Sequence, residues 1–330
     1  MHGHGTSYRA NGRMECEGQW KNGKMHGEGT SYHDNGNKKY EGQWRDGKYY
    51  GQGVSYRANG HVEYQGHWVS GMYDGHGTQY DSRGSQLYRG GWRGGQMVGE
   101  GTADKIPLGD GKTYTGPLHN GKPHGQGTAR WPNGGTSTGT WQHGQMVGEG
   151  TADKMPSGDR RTTYTGPLLN GIPHGRGILL KSSDGSTACE GQWSAGEMVG
   201  EGTAHRLPWE GYHYEGPLLN GIAHGSGTAH WPNGGCCNRR WEHGQMVGKG
   251  RADKMPLEDG TTYTGPLRNG KPEGQGTSYH HNGHEAYEGE WLCGHKHGTG
   301  TSYYDNGKKK YEGQWESGQW QQGKVYSCIS

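Results

Sequence analysis

Histidine is the first residue type in this chain whose numbers suggest chemistry. There are 21 histidines among 330 residues, and six cysteines at 16, 189, 236, 237, 293 and 328. Metal binding needs several such ligands around one point. His26, His124, His174, His224 and His297 instead share one phase, each standing just before the first Gly of a Gly-x-Gly. If the phases are successive hairpins, equivalent residues in the alternating middle of the chain lie roughly 19 Å apart, beyond the reach of one ion. His295 with His297, and His2 with His4, are the pairs that one strand face would bring together. The cysteines contain no CxxC, and three of them (Cys16, Cys189, Cys237) stand where other repeats carry Tyr. There a reduced thiol serves as a small apolar group. No metal or cofactor is expected.

Carboxylates also recur by phase. Glu17, Glu41, Glu215, Glu288 and Glu312 each sit between Tyr or Cys and Gly. Acid–base catalysis needs two carboxyls in unlike environments, whereas a repeat produces like ones, so this ladder reads as a solvated face. Gly111-Lys112-Thr113 has the ending of a phosphate-binding loop, but Ile106 occupies the place of its first Gly and no helix is expected to follow. Basic clusters are short: Lys38-Lys39, Arg160-Arg161, Arg239-Arg240 and Lys308–Lys310. With a net charge of +2 and no long basic stripe to neutralise phosphates, nucleic acid is not an expected partner. Catalytic residues are not expected either.

What positions these residues is a repeat. Tyr287–Gly300 reads YEGEWLCGHKHGTG, and its pattern is Tyr-x-Gly-x-Trp, a Gly three residues on, then Gly-x-Gly. Tyr40, Gly42, Trp44, Gly47, Gly51 and Gly53 form one copy; Tyr287, Gly289, Trp291, Gly294, Gly298 and Gly300 form another. A partial unit covers 1–15, and units start near 16, 40, 64, 88, 114, 137, 164, 189, 214, 237, 263, 287 and 311, with an atypical end at 316–330. The weaker copies at 16, 137, 189 and 237 lack the leading Tyr, and Arg239 replaces a Gly. The opening half-unit reads as an atypical capping strand, or alternatively as the cut edge of a longer chain.

Tyr, Gly and Trp at i, i+2 and i+4 face one side of a strand. Asn-Gly turns such as Asn22-Gly23 and Asn120-Gly121 predict type I′ hairpins. A second strand carries Gly51 and Gly53, expected on one face, where rings of a neighbouring strand lie flat across the bare backbone. A further turn, often Asn-Gly again, closes each unit. From 88 to 267 the units alternate, with Pro-Leu replacing Trp at Leu118, Leu168, Leu218 and Leu267. A proline there predicts a local bulge or one-sided break, and the Trp-bearing units read as carrying longer closing loops such as Asp104–Gly111. The 70 glycines exclude long helices.

Composition sets the kind of core. Leu, Ile, Val and Phe make up about 8% of the chain, under the ~20% that usually separates globular from disordered chains. Near-zero net charge, 13 Trp and 21 Tyr at fixed phases oppose disorder and point to a thin aromatic core with polar tips. No signal peptide, membrane-length apolar run or Asn-x-Ser/Thr sequon is evident, so a cytoplasmic setting is expected, peripheral to membrane or cytoskeleton as a variant.

Tyr40-Glu41-Gly42-Gln43-Trp44 and His297-Gly298-Thr299-Gly300, closed by polar Asn-Gly turns, resemble MORN (membrane occupation and recognition nexus) repeats over nearly the whole chain. The resemblance implies an all-β fold of tandem β-hairpins in an elongated, twisted single-layer antiparallel sheet. It also implies roles in scaffolds, junctions and cytoskeletal assemblies, with lipid binding proposed for the family. About thirteen units at ~4.8 Å per strand would extend on the order of 120 Å. The expected reading is a single continuous array acting as a non-enzymatic scaffold for protein partners, with homodimerisation through unpaired terminal edges. The alternatives are peripheral binding to anionic phospholipid, and a repeat portion of a larger protein with an enzyme domain elsewhere.

Overall fold

The computed structural model describes residues 2–158, 161–209 and 211–327. Cys328 and Arg160 fall outside them. All regular structure among the described residues is β, from Gly3–Tyr8 to Gln319–Val325, and every strand pairing is antiparallel. Strands pair with their chain neighbours as a meander. By contacts the chain divides into two compact units, Met1–Pro156 with Pro167–Ile172, and Ser157–Gly166 with Pro173–Ser330. No described helix is long and apolar enough to cross a membrane.

Each repeat is the predicted hairpin. Lys38–Arg45 buries Tyr40 and Trp44 while Lys38, Lys39, Glu41 and Arg45 stay exposed. Asn22 and Gly23 both have positive φ, as do Asp46 with Gly47, Asn120 with Gly121 and Cys293 with Gly294, which is the type I′ geometry that matches strand twist. The closing turns use the same dipeptide differently. At Asn35-Gly36 only Gly36 has positive φ, the Gly36 N–H bonds to the His33 carbonyl at 2.9 Å, and the Asn35 side chain accepts from the Asn37 N–H at 3.1 Å. This is a type I turn ending in a left-handed Gly, with the Asn as a side-chain cap and no longer a φ-positive residue.

The register carries an irregularity in every complete hairpin type. Gly42 pairs with Gly53, yet Trp44 pairs with Tyr49, so Tyr50 to Gln52 stand opposite Gln43 alone. Gly51 lies in this bulge with φ +59, and a Cβ there would overlap the Gln43 side chain. At Gly53 a Cβ would instead sit inside the Tyr40 ring. The two glycines therefore serve opposite faces, correcting the expectation that they share one. The ring over Gly53 also comes from the same hairpin. Positive φ at the bulge reverses the face that simple alternation assigns.

The Pro-Leu units show the expected one-sided break. Lys112–His119 pairs along the one strand Gln96–Gly109, with register shifts at Lys112–Thr113 and Tyr114–Gly116, but on its other side the partner splits into Lys122–Pro123 and Gly125–Arg130. His124 donates its N–H to the Pro117 carbonyl at 3.0 Å. The bulge itself is shared with the Trp units, so proline does not cause it; proline occupies a site where the ladder is already offset. The segment Asp104–Gly111, expected as a loop, is mostly strand. Gln96–Gly109 runs 14 residues through a kink at Lys105 (φ 56) and turns at Asp110-Gly111.

Candidate functional site

The aromatic face is built from three repeated contacts. The Tyr ring covers the glycine pair of its own hairpin and its hydroxyl donates three residues ahead, as Tyr40 does to the Gln43 carbonyl at 2.9 Å. Trp reaches back: Trp44 Nε1–H donates to the Gly29 carbonyl at 2.9 Å, and Trp68 to Gly53 at 3.2 Å. The residue five after Trp fills the space between successive tryptophans. Tyr49 stacks on Tyr40 with centroids 3.8 Å apart, and Trp68 meets Tyr49 edge-on at 5.3 Å. Tyr73 repeats this against Tyr64 and Trp92. Burial holds the Tyr40 and Tyr64 phenols well above the ordinary tyrosine range.

Where the leading Tyr is missing, methionine takes its place. The Met146 sulfur lies over Gly139 and Gly150, Met198 over Gly191 and Gly202, and Met25 over Gly18 and Gly29. A thioether is flexible and apolar enough to fill the slot from the opposite strand. The Cys237 unit differs. Arg239, read from sequence as part of a surface basic cluster, is 2% exposed and lies over Gly250. Its guanidinium donates to the carbonyls of Leu267, Val247 and Gly248, while its Nε has no partner. Between this strand and Lys249–Pro256 only the Cys236–Asp253 pairing remains, where the Ser137 unit keeps Ser137–Ala152 and Gly139–Gly150.

Near the N-terminal end the aromatic face opens into a groove. One cavity of about 420 Å³ is lined by Arg9, Ser31, Lys39, Lys48 and Tyr49. A second, about 400 Å³, is lined by His33, Lys39, Ser55, Glu63, Met72 and Tyr73. They share Lys39, Tyr49 and Gly71. The Ser31 and Ser55 hydroxyls face the Tyr49 and Tyr73 phenols, without a hydrogen bond of full geometry. Burial raises both phenols and the serines partly offset it. On the walls, Arg9 pairs with Glu15 at 3.5 Å and Asp34 at 3.2 Å, and Arg57 with Glu63 at 3.0 Å. Met72 is 50% exposed. Larger concavities exist at the turns around Asn233, Leu257 and His280, about 930 Å³, and beside Glu190, Glu201 and Pro217, about 730 Å³, but neither has a stacked aromatic floor.

Tyr40, Gly42, Trp44, Gly53, Tyr287, Gly289, Trp291 and Gly300 make the ring-and-slot contacts, while Gly47 and Gly294 make turns and Gly51 and Gly298 sit at φ +59 and +56 beside Gln43 and Glu290. The glutamate ladder is engaged on the opposite face: Glu41 with Lys38 at 2.9 Å and Glu312 with Lys309 at 3.1 Å, with tyrosine hydroxyls donating to Glu17, Glu41 and Glu312. The Lys38 ammonium holds the Glu41 carboxyl below its ordinary value. His119, His124 and His143 form a row at 5.6 and 6.3 Å between ring centroids, closer than phase spacing alone implied, since His119 and His143 come from different phases. Among the described residues no three His, Cys, Asp or Glu converge as a metal set, and Cys16, Cys189, Cys236, Cys237 and Cys293 are free thiols. Gly111-Lys112-Thr113 runs from a turn into a strand. Lys296, unique to its unit, takes the place of Tyr49, its ammonium 5.3 Å from the Tyr287 ring centre and 5.7 Å from that of Trp315; burial lowers its pKa.

No curated protein sequence matches this chain. Among solved structures, the wild-type TCP10 domain of Danio rerio CPAP in complex with a peptide of Danio rerio STIL is 11% identical, with 94% of this chain and 99% of that chain covered. Its TM-score is 0.17, too low to support an argument. The family model for the MORN repeat matches residues 1–12, 16–38, 40–62, 64–86, 88–104, 114–136, 138–153, 164–186, 189–205, 214–236, 263–285 and 287–309. The segment beginning at 237, where Arg239 fills the slot, is not among them. With its repeat contacts formed and well over half its length matched, the chain belongs to the MORN repeat family.

Proposed function

We propose that this chain is a non-enzymatic scaffold, a single continuous array of about thirteen units, whose groove between Arg9 and Gly95 docks a segment of another protein. MORN repeats indicate a repeat-based interaction module. The observation that carries the finer reading is the pair of adjoining cavities with an aromatic floor. Tyr and Trp rings at a concave surface supply large contact area at small entropic cost. The buried thiols of Cys189 and Cys237 are compatible with a cytoplasmic setting. Lipid binding draws less support from the basic cluster at Lys308–Lys310, because Lys309 is paired with Glu312 and Lys310 lies 5.4 Å from the ring centres of Tyr304 and Tyr311.

Photo-crosslinking tests the reading. A benzophenone amino acid replacing Met72 is expected to capture a protein in cells that the same group at Leu292, 45% exposed outside the groove, does not. Equal capture from both positions would remove the groove as the docking surface.

A further inference from the structure

We infer that the groove takes an acidic segment, with a carboxylate seated between two apolar side chains. The inference rests on the docking role proposed above and specifies the partner's chemistry. The wall carboxylates already have arginine partners, Glu15 and Asp34 sharing Arg9 and Glu63 with Arg57. The His33 ring is engaged by the Tyr56 carbonyl at 2.7 Å. Lys39 and Lys48 remain: both are exposed, both line the groove, and neither has an ion pair among the described residues. With Arg9, Arg57, Lys39 and Lys48 against Glu15, Asp34 and Glu63, the walls keep a net positive charge.

Position supplies the rest of the pattern. Tyr49 and Tyr73 floor successive cavities and stand at equivalent points of successive hairpins. Two strand spacings put them roughly 10 Å apart. That distance matches apolar residues three apart in a polyproline II segment, where every third residue shares a face, or seven apart on a helix. Lys39 lines both cavities, so the acid belongs between the two apolar anchors. The concave shape favours a peptide over a membrane. A bilayer surface would meet lysines on a flat or convex face, whereas these stand on the walls of cavities whose floor must also be filled.

The test uses the full chain and fluorescein-labelled synthetic peptides of about twelve residues. One peptide carries two leucines three apart with glutamate between them; two others carry glutamine or lysine in its place. Anisotropy is read at low and physiological salt, and thermal melts establish that each variant folds. The glutamate peptide is expected to bind about tenfold or more tighter than the glutamine peptide and to weaken with salt. Lys39→Glu with Lys48→Glu should remove about tenfold or more of that affinity, Lys39→Arg with Lys48→Arg should retain it, and Lys122→Glu, away from the groove, should leave it unchanged. Equal binding of the glutamine peptide, or preference for the lysine peptide, overturns the acidic class. If Met72→Asp still abolishes that binding, the groove reading survives alone. Binding by no peptide overturns both. Salt-sensitive, Lys39- and Lys48-dependent binding to vesicles with about 20% phosphatidylserine, without peptide binding, overturns the peptide in favour of a membrane.

Discussion

Between Tyr40 and Trp92 rings touch rings without a gap, Tyr40 and Tyr64 each meeting their own Trp and the next unit's while Tyr49 and Tyr73 stack between them. From Tyr114 to Leu267 the rings come mainly in pairs, Tyr114 with Trp141, Tyr164 with Trp193 and Tyr214 with Trp241. Leu118, Leu168, Leu218 and Leu267 take the alternate Trp places and are buried. The neighbouring small residues differ in step. Ser31 and Ser55 occupy the phase that holds Ala103, Ala129, Ala152, Ala204, Ala229 and Ala252 in the alternating segment. One backbone thus accepts a continuous aromatic filling with polar tips or an aliphatic filling without them. The first leaves hydroxyls and lysines beside an open floor, and that is where the groove lies.

The comparison breaks most visibly at the glycine slots. Gly53→Ala would drive a methyl into the rigid Tyr40 ring and is expected to cost about 3 kcal/mol. Gly139→Ala meets the Met146 sulfur at 3.2 Å and backbone at 3.2 Å; the thioether can yield, so about 1 kcal/mol is expected. Urea unfolding of the two variants measures the contrast, and equal losses would show that the fillings are equally stiff. Arg239→Gly should let Met246 fill the slot as Met146 does, restore the lost ladder and stabilise by about 1–2 kcal/mol, since apolar replacement of a buried ion commonly does. Amide exchange at Ala252 should slow; unchanged exchange would mean that Arg239 is not what opens the ladder. Tyr73→Met converts one aromatic unit to the aliphatic kind, at a cost of about 1 kcal/mol in lost stacking, read in thermal melts.

The smallest effects concern protons. Burial pushes the thiols of Cys189 and Cys237 up to about 12 and about 11, and the phenols of Tyr114 and Tyr214 to about 12. A raised folded pKa means that the native state holds its proton longer than the unfolded chain. Its stabilising contribution is full below the unfolded values, near 9 for Cys and 10 for Tyr, and is lost as pH climbs through 11 to 12. Circular dichroism should therefore show these contributions unchanged at neutral pH and fading only in strong alkali. Iodoacetamide at pH 8 should label exposed Cys236 and Cys293 well before Cys189 and Cys237; equal rates would contradict the burial.

Much of this is legible in the sequence. Tyr-x-Gly-x-Trp and Asn-Gly name the hairpin, its buried face and its type I′ turn through local rules of alternation and φ. What those rules missed is where the chain departs from them locally. A bulge at Tyr50–Gln52 puts Gly51 on the other face, and one dipeptide, Asn-Gly, serves two turn types according to its distance from the strand end. Met146 substituting for a tyrosine, and Arg239 filling a glycine slot from within its own strand, are contacts across a ladder, which sequence phase does not print. The groove was missed for the same reason. Lys39 stands in a basic cluster that the sequence shows, but its place beside Lys48 on the groove wall depends on which acids the arginines occupy.

The backward reach of the tryptophans bears on how such a chain can change length. The indole at the Trp position of a unit takes its acceptor from the unit before it, as Trp68 does from Gly53 and Trp92 from Gly77. Duplication or loss of a whole period leaves every donor an acceptor in the same register, whereas a step of any other length strands one. The permitted step is 24 residues among Trp44, Trp68 and Trp92 and about 50 where Trp and Leu units alternate. The hydrogen bond therefore acts as a reading frame for copy number, set at one unit in the aromatic segment and two in the aliphatic one.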